Sequence, residues 1–447
     1  MIDRFTQSRI LQKKSHQLIP GGAHTYAKGD DQFPVLAPGF IQRGAGCHVW
    51  DVDGNEYIEY GMGCRAVTLG HAFTPIIEAV QSELIHGTNF SRPAPLEVQC
   101  AEELLSMVPY ADMCKFSKNG SDATTAAIKL ARAATGRDLI AICQDHPFFS
   151  IDDWFIGTTA IGAGIPKSTI EQTKFFRYND ADSLKTLLET YPEKIAAVIL
   201  EPAKYSDPEA DFLHQVKRLC ESNGVIFILD EMITGFRWAN GGAQEYYDIE
   251  PDLSTFGKAL ANGFSLSALL GKQDLMERGG IYHDKQRVFL LSTTHGAETH
   301  SLAAGIATMK FYQENPVVET LAQQGAKLKS GLIELIESKG LSDYVRIIGK
   351  PCNLVFVTLD ADQKSSQDFR TLLMQELIKH GVIGTSLVVS YSHSDDDIEK
   401  TINAFREALL VYAAAIERGV GEFLHGRPTQ TVYQTYSTEQ YQSAPTF

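Results

Sequence analysis

Basic charge is in short supply, with 40 Lys and Arg against 55 Asp and Glu, a formal net charge of −15. A chain of that sign suits neither nucleic acid nor an anionic membrane surface, so neither is expected as the main partner. No stretch of it is apolar over the roughly 20 residues that a bilayer requires. The opening Met1–Arg9 also lacks the apolar run of a secretory signal, which points to the cytoplasm. The seven cysteines, at 47, 64, 100, 114, 143, 220 and 352, are odd in number and never form a C-x-x-C pair. They read as reduced thiols, with no disulfide framework and no metal site.

Several ligand motifs are missing too. No strand is followed by G-x-G-x-x-G, so a dinucleotide fold has no support. Gly162-Ala-Gly-Ile-Pro-Lys167-Ser168 fails as a phosphate loop of the NTPase kind, because Pro166 stands where glycine must precede the lysine. Asp51-Val-Asp53-Gly54-Asn55 opens like a calcium loop, but Met62 holds the position of the bidentate glutamate. A hairpin turn explains that segment better. No internal repeat or low-complexity block is present.

What is present is a globular composition, 44% hydrophobic and 21% charged, on a chain long enough at 447 residues for more than one domain. Short apolar runs at 114–116, 139–143, 195–200, 225–229 and 288–291 read as strands. They alternate with amphipathic stretches such as 181–190 and 211–221, the pattern of an α/β domain on a mainly parallel sheet. Beyond about residue 310 longer helices surround strands at 354–359 and 386–390, and the helix expected at 395–417 places Ile398, Ile402, Phe405, Leu409 and Tyr412 on one side. The expected organisation is an N-terminal segment 1–65 joining a small α+β domain, a large domain 66–310, the rest of the small domain at 311–425, and a loosely held tail 426–447.

Three segments carry chemistry. Lys118-Asn119-Gly120-Ser121-Asp122 follows a strand and opens an Ala-rich helix. Gly120 permits close backbone approach, Ser121 offers a hydroxyl and the helix start supplies N–H groups for an anion, although a capped helix alone would explain the segment. Asp230 ends the apolar run Ile226–Leu229, where ligand-facing residues of an open α/β sheet belong. Lys258 follows Gly257 in Asp252-Leu-Ser-Thr-Phe-Gly257-Lys258. An acid able to keep a pyridine nitrogen protonated, followed by a lysine able to form a Schiff base, suggests a pyridoxal-phosphate (PLP) site.

In these segments the chain resembles the class III (fold-type I) PLP-dependent aminotransferases, in the branch of the glutamate-1-semialdehyde aminomutases. The resemblance implies the PLP-dependent transferase fold, with Asn119, Gly120 and Ser121 at the phosphate and Asp122 replacing the usual Glu. It implies catalytic roles for Asp230 and Lys258, packing of Met232 on one cofactor face and stacking of Phe148 or Phe149, Phe148 being the choice, on the other, although the aromatic pair could simply be core. Thr293 takes the place of a threonine that reaches the phosphate of a neighbouring subunit, which implies a homodimer with shared active sites, while Ala297-Glu298 replaces the usual Asn-Pro.

Substrate segments depart from the resemblance. His24-Thr25-Tyr26-Ala27-Lys28, Gly63-Cys64-Arg65 and Gly384-Thr385-Ser386 stand where an aminomutase has Asn-Ser-Pro-Val-Arg, Ser-Trp-Gly and Phe-Glu-Ala. Lys28, Arg65 and Thr385 are therefore the expected substrate contacts, with ordinary surface charge an equal reading of the two cations. The expected reaction is ping-pong amino transfer from an amino acid to an aldehyde or ketone, with a sugar-derived acceptor, as in polysaccharide biosynthesis, among the candidates. The aminomutase reaction is the alternative, ahead of a catalytically silent PLP-binding protein.

Overall fold

The computed structural model describes residues 4–145 and 148–432. The chain forms two compact units, one of Met1–Phe73 with Glu319–Phe447 and one of Thr74–Val318. The boundaries fall beyond the expected 65 and 310 for local reasons. His71 exchanges backbone hydrogen bonds with Gly46 at 2.7 and 2.9 Å, which ties 66–73 to the first unit. Residues to 314 complete the helix Thr299–Glu314, which packs on Thr74–Leu84 and Pro95–Met107 in the second.

In the first unit β1 (Ile41–Ala45), β2 (His48–Asp51) and β3 (Glu56–Glu59) form an antiparallel meander. The β2–β3 turn is the Asp51–Asn55 segment: the Asp51 carboxylate accepts from the backbone N–H groups of Asp53 and Asn55, and Gly54 takes a φ of +88°. It is a hairpin turn.

The second unit is built on β4 (Met113–Ser117), β5 (Leu139–Cys143), β6 (Thr173–Phe176), β7 (Ile195–Leu200), β8 (Ile226–Asp230), β9 (Leu253–Phe256) and β10 (Ser267–Gly271). They form one sheet in the order β4-β10-β9-β8-β7-β5-β6. All neighbours pair parallel except β10, which runs against both β9 and β4. Every residue of β7 is buried, as expected of a parallel strand covered on both faces. Val198, Leu200, Phe227 and Leu229 share a core with Leu213, Val216 and Cys220 of the helix Phe212–Asn223.

Two expected strands are corrected. Val288–Leu291 pairs in no sheet; its backbone is held instead by Val288 N–H on Arg278 O at 2.8 Å. Residues 386–390 form only an isolated bridge, Leu387 to Leu354.

The first unit resumes with β11 (Val345–Ile348) and β12 (Val355–Thr358), paired antiparallel, and β13 (Val382–Ile383), which adds parallel to β3. Its last long helix, Asp395–Arg418, starts from a capping box in which Ser394 and Asp397 exchange hydrogen bonds. Asp397 also accepts from His48 Nε2 at 3.0 Å and Cys47 Sγ at 3.4 Å, so the helix start is fastened to β2 and the residue before it. The segment expected to be a loose tail begins anchored: Arg427 donates to Asp30 O at 2.6 Å and Thr429 N–H to Thr371 Oγ1 at 2.8 Å. Residues 433–447 lie outside the described ones.

Candidate active site

Because β4, β7, β8 and β9 run the same way, their carboxyl ends bring 119–121, Glu201, Asp230 and Gly257–Lys258 to one edge of the sheet. Ligands of open α/β sheets bind at that edge.

The helix Gly120–Thr135 starts directly after β4 with Asn119 as its cap, whose side chain accepts from Asp122 N–H at 3.0 Å. The N–H groups of Gly120 and Ser121 have no acceptor within the helix, and the helix dipole adds to their pull on an anion. Ser121 is buried and its Oγ accepts from Ile151 N–H at 3.0 Å, which keeps its own hydroxyl proton for another acceptor. The same bond holds the 148–151 loop beside the helix start.

Asp230 is 2% exposed, and its Oδ1 accepts from Met232 N–H at 3.0 Å and Thr255 Oγ1 at 3.2 Å. Burial pushes its carboxyl up to about 7; Glu201 adds to the rise, and the Lys258 ammonium opposes it. Its neighbour Glu231 is also buried, and burial likewise pushes it up to about 7. It is spent on the backbone, accepting from Ala243 N–H at 2.9 Å, Gln244 N–H at 2.6 Å and the Thr234 hydroxyl.

Lys258 opens a short 3₁₀ turn with a φ of +48°, a conformation that costs a non-glycine residue energy and is held here by its surroundings. Gly257 before it is needed for room. A Cβ there would lie 2.5 Å from Ser267 Oγ and 2.7 Å from Met232 Sδ, and one on Gly120 would lie 2.9 Å from the same sulfur. Met232 thus sits between the two glycines, with the anion-binding turn on one side and the lysine on the other. A flat ring with a phosphate at one end, a ring nitrogen and an aldehyde fits this donor set. The helix start suits the phosphate, the buried acid suits a protonated ring nitrogen, and Lys258 suits the carbonyl.

Of the two aromatic candidates, Phe149 is core at 1% exposure and its carbonyl accepts from Thr124 Oγ1 at 2.6 Å, whereas Phe148 is 42% exposed, edge-on to Phe155. His146, from the same segment, lies outside the described residues. Thr293 is exposed on a loop that lies against the end of β4, since a Cβ on Gly296 would meet Thr293 Oγ1 at 2.9 Å and Phe116 O at 3.6 Å. Glu298, at the unusual position after that loop, caps the helix Thr299–Glu314 and lies 2.8 Å from Lys118 Nζ, which holds its carboxyl below the usual range.

Lys28, Arg65 and Thr385 belong to the other unit. Lys28 is exposed on a 3₁₀ turn, and Thr385 accepts at its carbonyl from Arg370. Arg65 ends a turn in which Met62, Gly63, Cys64 and Arg65 all have positive φ, from +41° to +68°. Its Nε donates to the buried Asn353 Oδ1 at 2.9 Å. Sequence reading missed Glu201. It follows a strand that was recognised, but only the register shows what it faces.

The family profile described as Aminotransferase class-III matches residues 25–409. A glutamate-1-semialdehyde 2,1-aminomutase of Methanosphaera stadtmanae is 32% identical over 427 residues, covering 91% of this chain and 99% of that protein. A 3-aminobutyryl-CoA aminotransferase of Cloacimonas acidaminovorans is 32% identical over 417 residues, covering 91% and 97%. Among solved structures, the FumI protein of Sphingopyxis sp. MTA144, in its PLP internal aldimine form, superposes with a TM-score of 0.84 at 28% identity over 95% of this chain and 99% of that one.

Proposed function

We propose that this chain, which belongs to the class-III aminotransferases and uses pyridoxal phosphate, moves an amino group from an amino acid to an aldehyde or ketone larger than glutamate-1-semialdehyde. The observation that carries the site assignment is the buried Asp230 at the end of β8, electrostatically coupled to Lys258 beyond β9. When bound, the cofactor supplies a ring that accepts the electrons left as Cα of the donor loses its proton.

The chain's own groups do the rest. Asp230 accepts the ring N–H and keeps that nitrogen cationic; Asn119 shapes the turn in which Gly120, Ser121 and the helix start hold the phosphate. Met232 would pack on one ring face and Phe148 on the other. The Lys258 amine would hold the aldehyde carbon of the cofactor and, when free, would take the proton from Cα of the donor as a general base. The donor leaves as a keto acid before the acceptor enters, a ping-pong order.

Thr293 on its exposed loop supports a homodimer with shared sites, as do Ile85, Phe90, Tyr282 and Phe289, large apolar residues exposed in the second unit. Seven cysteines outside any disulfide, Cys64 exposed among them, support a reducing, cytoplasmic setting. Lys28 and Arg65 support an acceptor with an anion or several hydroxyls, such as a sugar derivative of polysaccharide biosynthesis. The names of the relatives favour a second reading, the aminomutase itself.

Borohydride reduction of the holoenzyme followed by peptide mapping tests the assignment. The cofactor is expected on Lys258, and Lys258→Ala should bind PLP without covalent attachment and lose nearly all turnover. A label on another lysine overturns it.

A further inference from the structure

Glu201 lies directly after β7, and the β7–β8 register sets Leu200 opposite Leu229, so Glu201 follows level with Asp230 across the strand pair. Both side chains are buried, at 5% and 2% exposure. Two acids side by side away from water repel each other, and the repulsion is relieved when one proton stays with the pair. The direction of the Asp230 shift agrees: burial is its largest cause and Glu201 the next.

Cys143 and Tyr178 lie within electrostatic reach of Glu201. Lys258 opposes the repulsion from beyond β9, and Lys204 is buried three residues after Glu201. On the helices against β8, Asp122 is bonded to Asn119, Lys217 is paired with Glu221 and Glu250, and Arg218 with Asp211.

We propose that Glu201 is a positioning residue: set level with Asp230 across the β7–β8 register, it raises the proton affinity of the Asp230 site, so that the site holds one proton, on the Asp230 carboxyl when empty and on the ring nitrogen when the cofactor is bound. This rests on Asp230 being the partner of the ring nitrogen. Glu201 then has two effects of one sign. In the cofactor-free chain it keeps Asp230 protonated near neutral pH, where a lone exposed aspartate would be ionised. In the holoenzyme the second negative charge strengthens the hold on the ring N–H and widens the pH range over which the nitrogen stays cationic. A cofactor whose ring nitrogen arrives protonated displaces the Asp230 proton to solvent, and one that arrives neutral takes that proton over; either way the loaded site keeps one proton.

Infrared difference spectroscopy of the full-length chain against pH, with and without PLP, tests this directly. A buried carboxylic acid gives a band distinct from carboxylates, and subtracting Asp230→Asn removes the contribution of Glu231. In the cofactor-free wild type the Asp230 acid band should fade as pH rises through about 7. Glu201→Gln should move that midpoint down by about one pH unit or more, a tenfold loss of proton affinity. Glu201→Asp, which keeps the charge, should leave the midpoint raised. Adding PLP to the wild type at neutral pH should abolish the band.

An unchanged midpoint in Glu201→Gln overturns the proposal. So does an Asp230 midpoint in the ordinary carboxylate range in the wild type, a result that stands even if Glu201→Gln does not fold. Persistence of the band in a holoenzyme that still carries its label on Lys258 overturns the one-proton site and leaves the cofactor assignment intact. A label elsewhere removes the assignment instead.

Discussion

Asp230 and Glu231 are adjacent, both buried, and both pushed up to about 7 by burial, yet only Glu231 is solvated fully by backbone N–H groups. Two donors reach Asp230, and both land on Oδ1. Oδ2 takes no hydrogen bond among the described residues, which leaves it to accept the ring N–H. An acid whose folded pKa is raised stabilises the fold fully below its unfolded pKa, near 3.9 for aspartate, and loses that contribution as pH rises through the folded value. The cofactor-free chain should therefore lose stability as pH rises from about 5 through about 7, partly through Asp230. Asp230→Asn should flatten that part of the profile in thermal melts at a series of pH values, while the share due to Glu231 persists. In the PLP-loaded form the same substitution removes the charge that keeps the ring nitrogen protonated. Proton loss from Cα in a single turnover should then slow by about 10²-fold or more. A rate near that of the wild type would show that another group serves the nitrogen.

Elements were legible where local pattern and tertiary role agreed. The run Ile226–Leu229 followed by an acid identifies β8 and its end, and the alternation of apolar runs with amphipathic helices identifies a parallel sheet. Val288–Leu291 and Ser267–Gly271 show the limit: both are short and lack a polar-apolar alternation, and only pairing decides between them. The sheet takes Ser267–Gly271, whose Ala268, Leu269 and Leu270 are wholly buried, while Phe289 stays exposed. Glu201 escaped notice for the same reason, since an acid after a strand acquires meaning only from the residue across the register. At the phosphate turn the sequence was more informative, because a cap and a glycine act locally. Asn119→Ala should cost about 1 kcal/mol by removing the bond to Asp122 N–H, and it should weaken PLP binding by loosening the turn. Asn119→Ser, another good cap, should recover most of the stability. Chemical denaturation with and without PLP measures both effects, and equal loss in the two variants would show that capping is not what Asn119 contributes.

At the scale of the whole molecule the class-III profile spans residues 25–409, while the expected substrate segments depart from the aminomutase pattern they resemble. Among the latter, the turn at Met62–Arg65 has a physical signature that no sequence pattern announced. Three of its four residues are non-glycine with positive φ, a conformation costing roughly 1–2 kcal/mol each. Such strain persists where the surrounding structure imposes it, often at ligand sites. Here it presents an exposed Cys64 and an Arg65 braced by Asn353 where the aminomutases carry Ser-Trp-Gly. An aminomutase must retain its doubly aminated intermediate until the second nitrogen is used, which demands a closely matched, gated pocket. We expect Cys64, in place of the tryptophan that the resemblance implies, and Thr385, in place of the glutamate, to remove bulk and a charge and so to favour release of a keto product over retention. The purified enzyme should accordingly convert an amino donor and PLP to a keto acid and the pyridoxamine form, readable as loss of the PLP absorption band. With glutamate-1-semialdehyde it should yield 5-aminolevulinate slowly or not at all. Restoring the two side chains together, Cys64→Trp with Thr385→Glu, should raise that yield if size and charge at these positions are what exclude the reaction. Efficient conversion by the unmodified chain would show instead that it is an aminomutase.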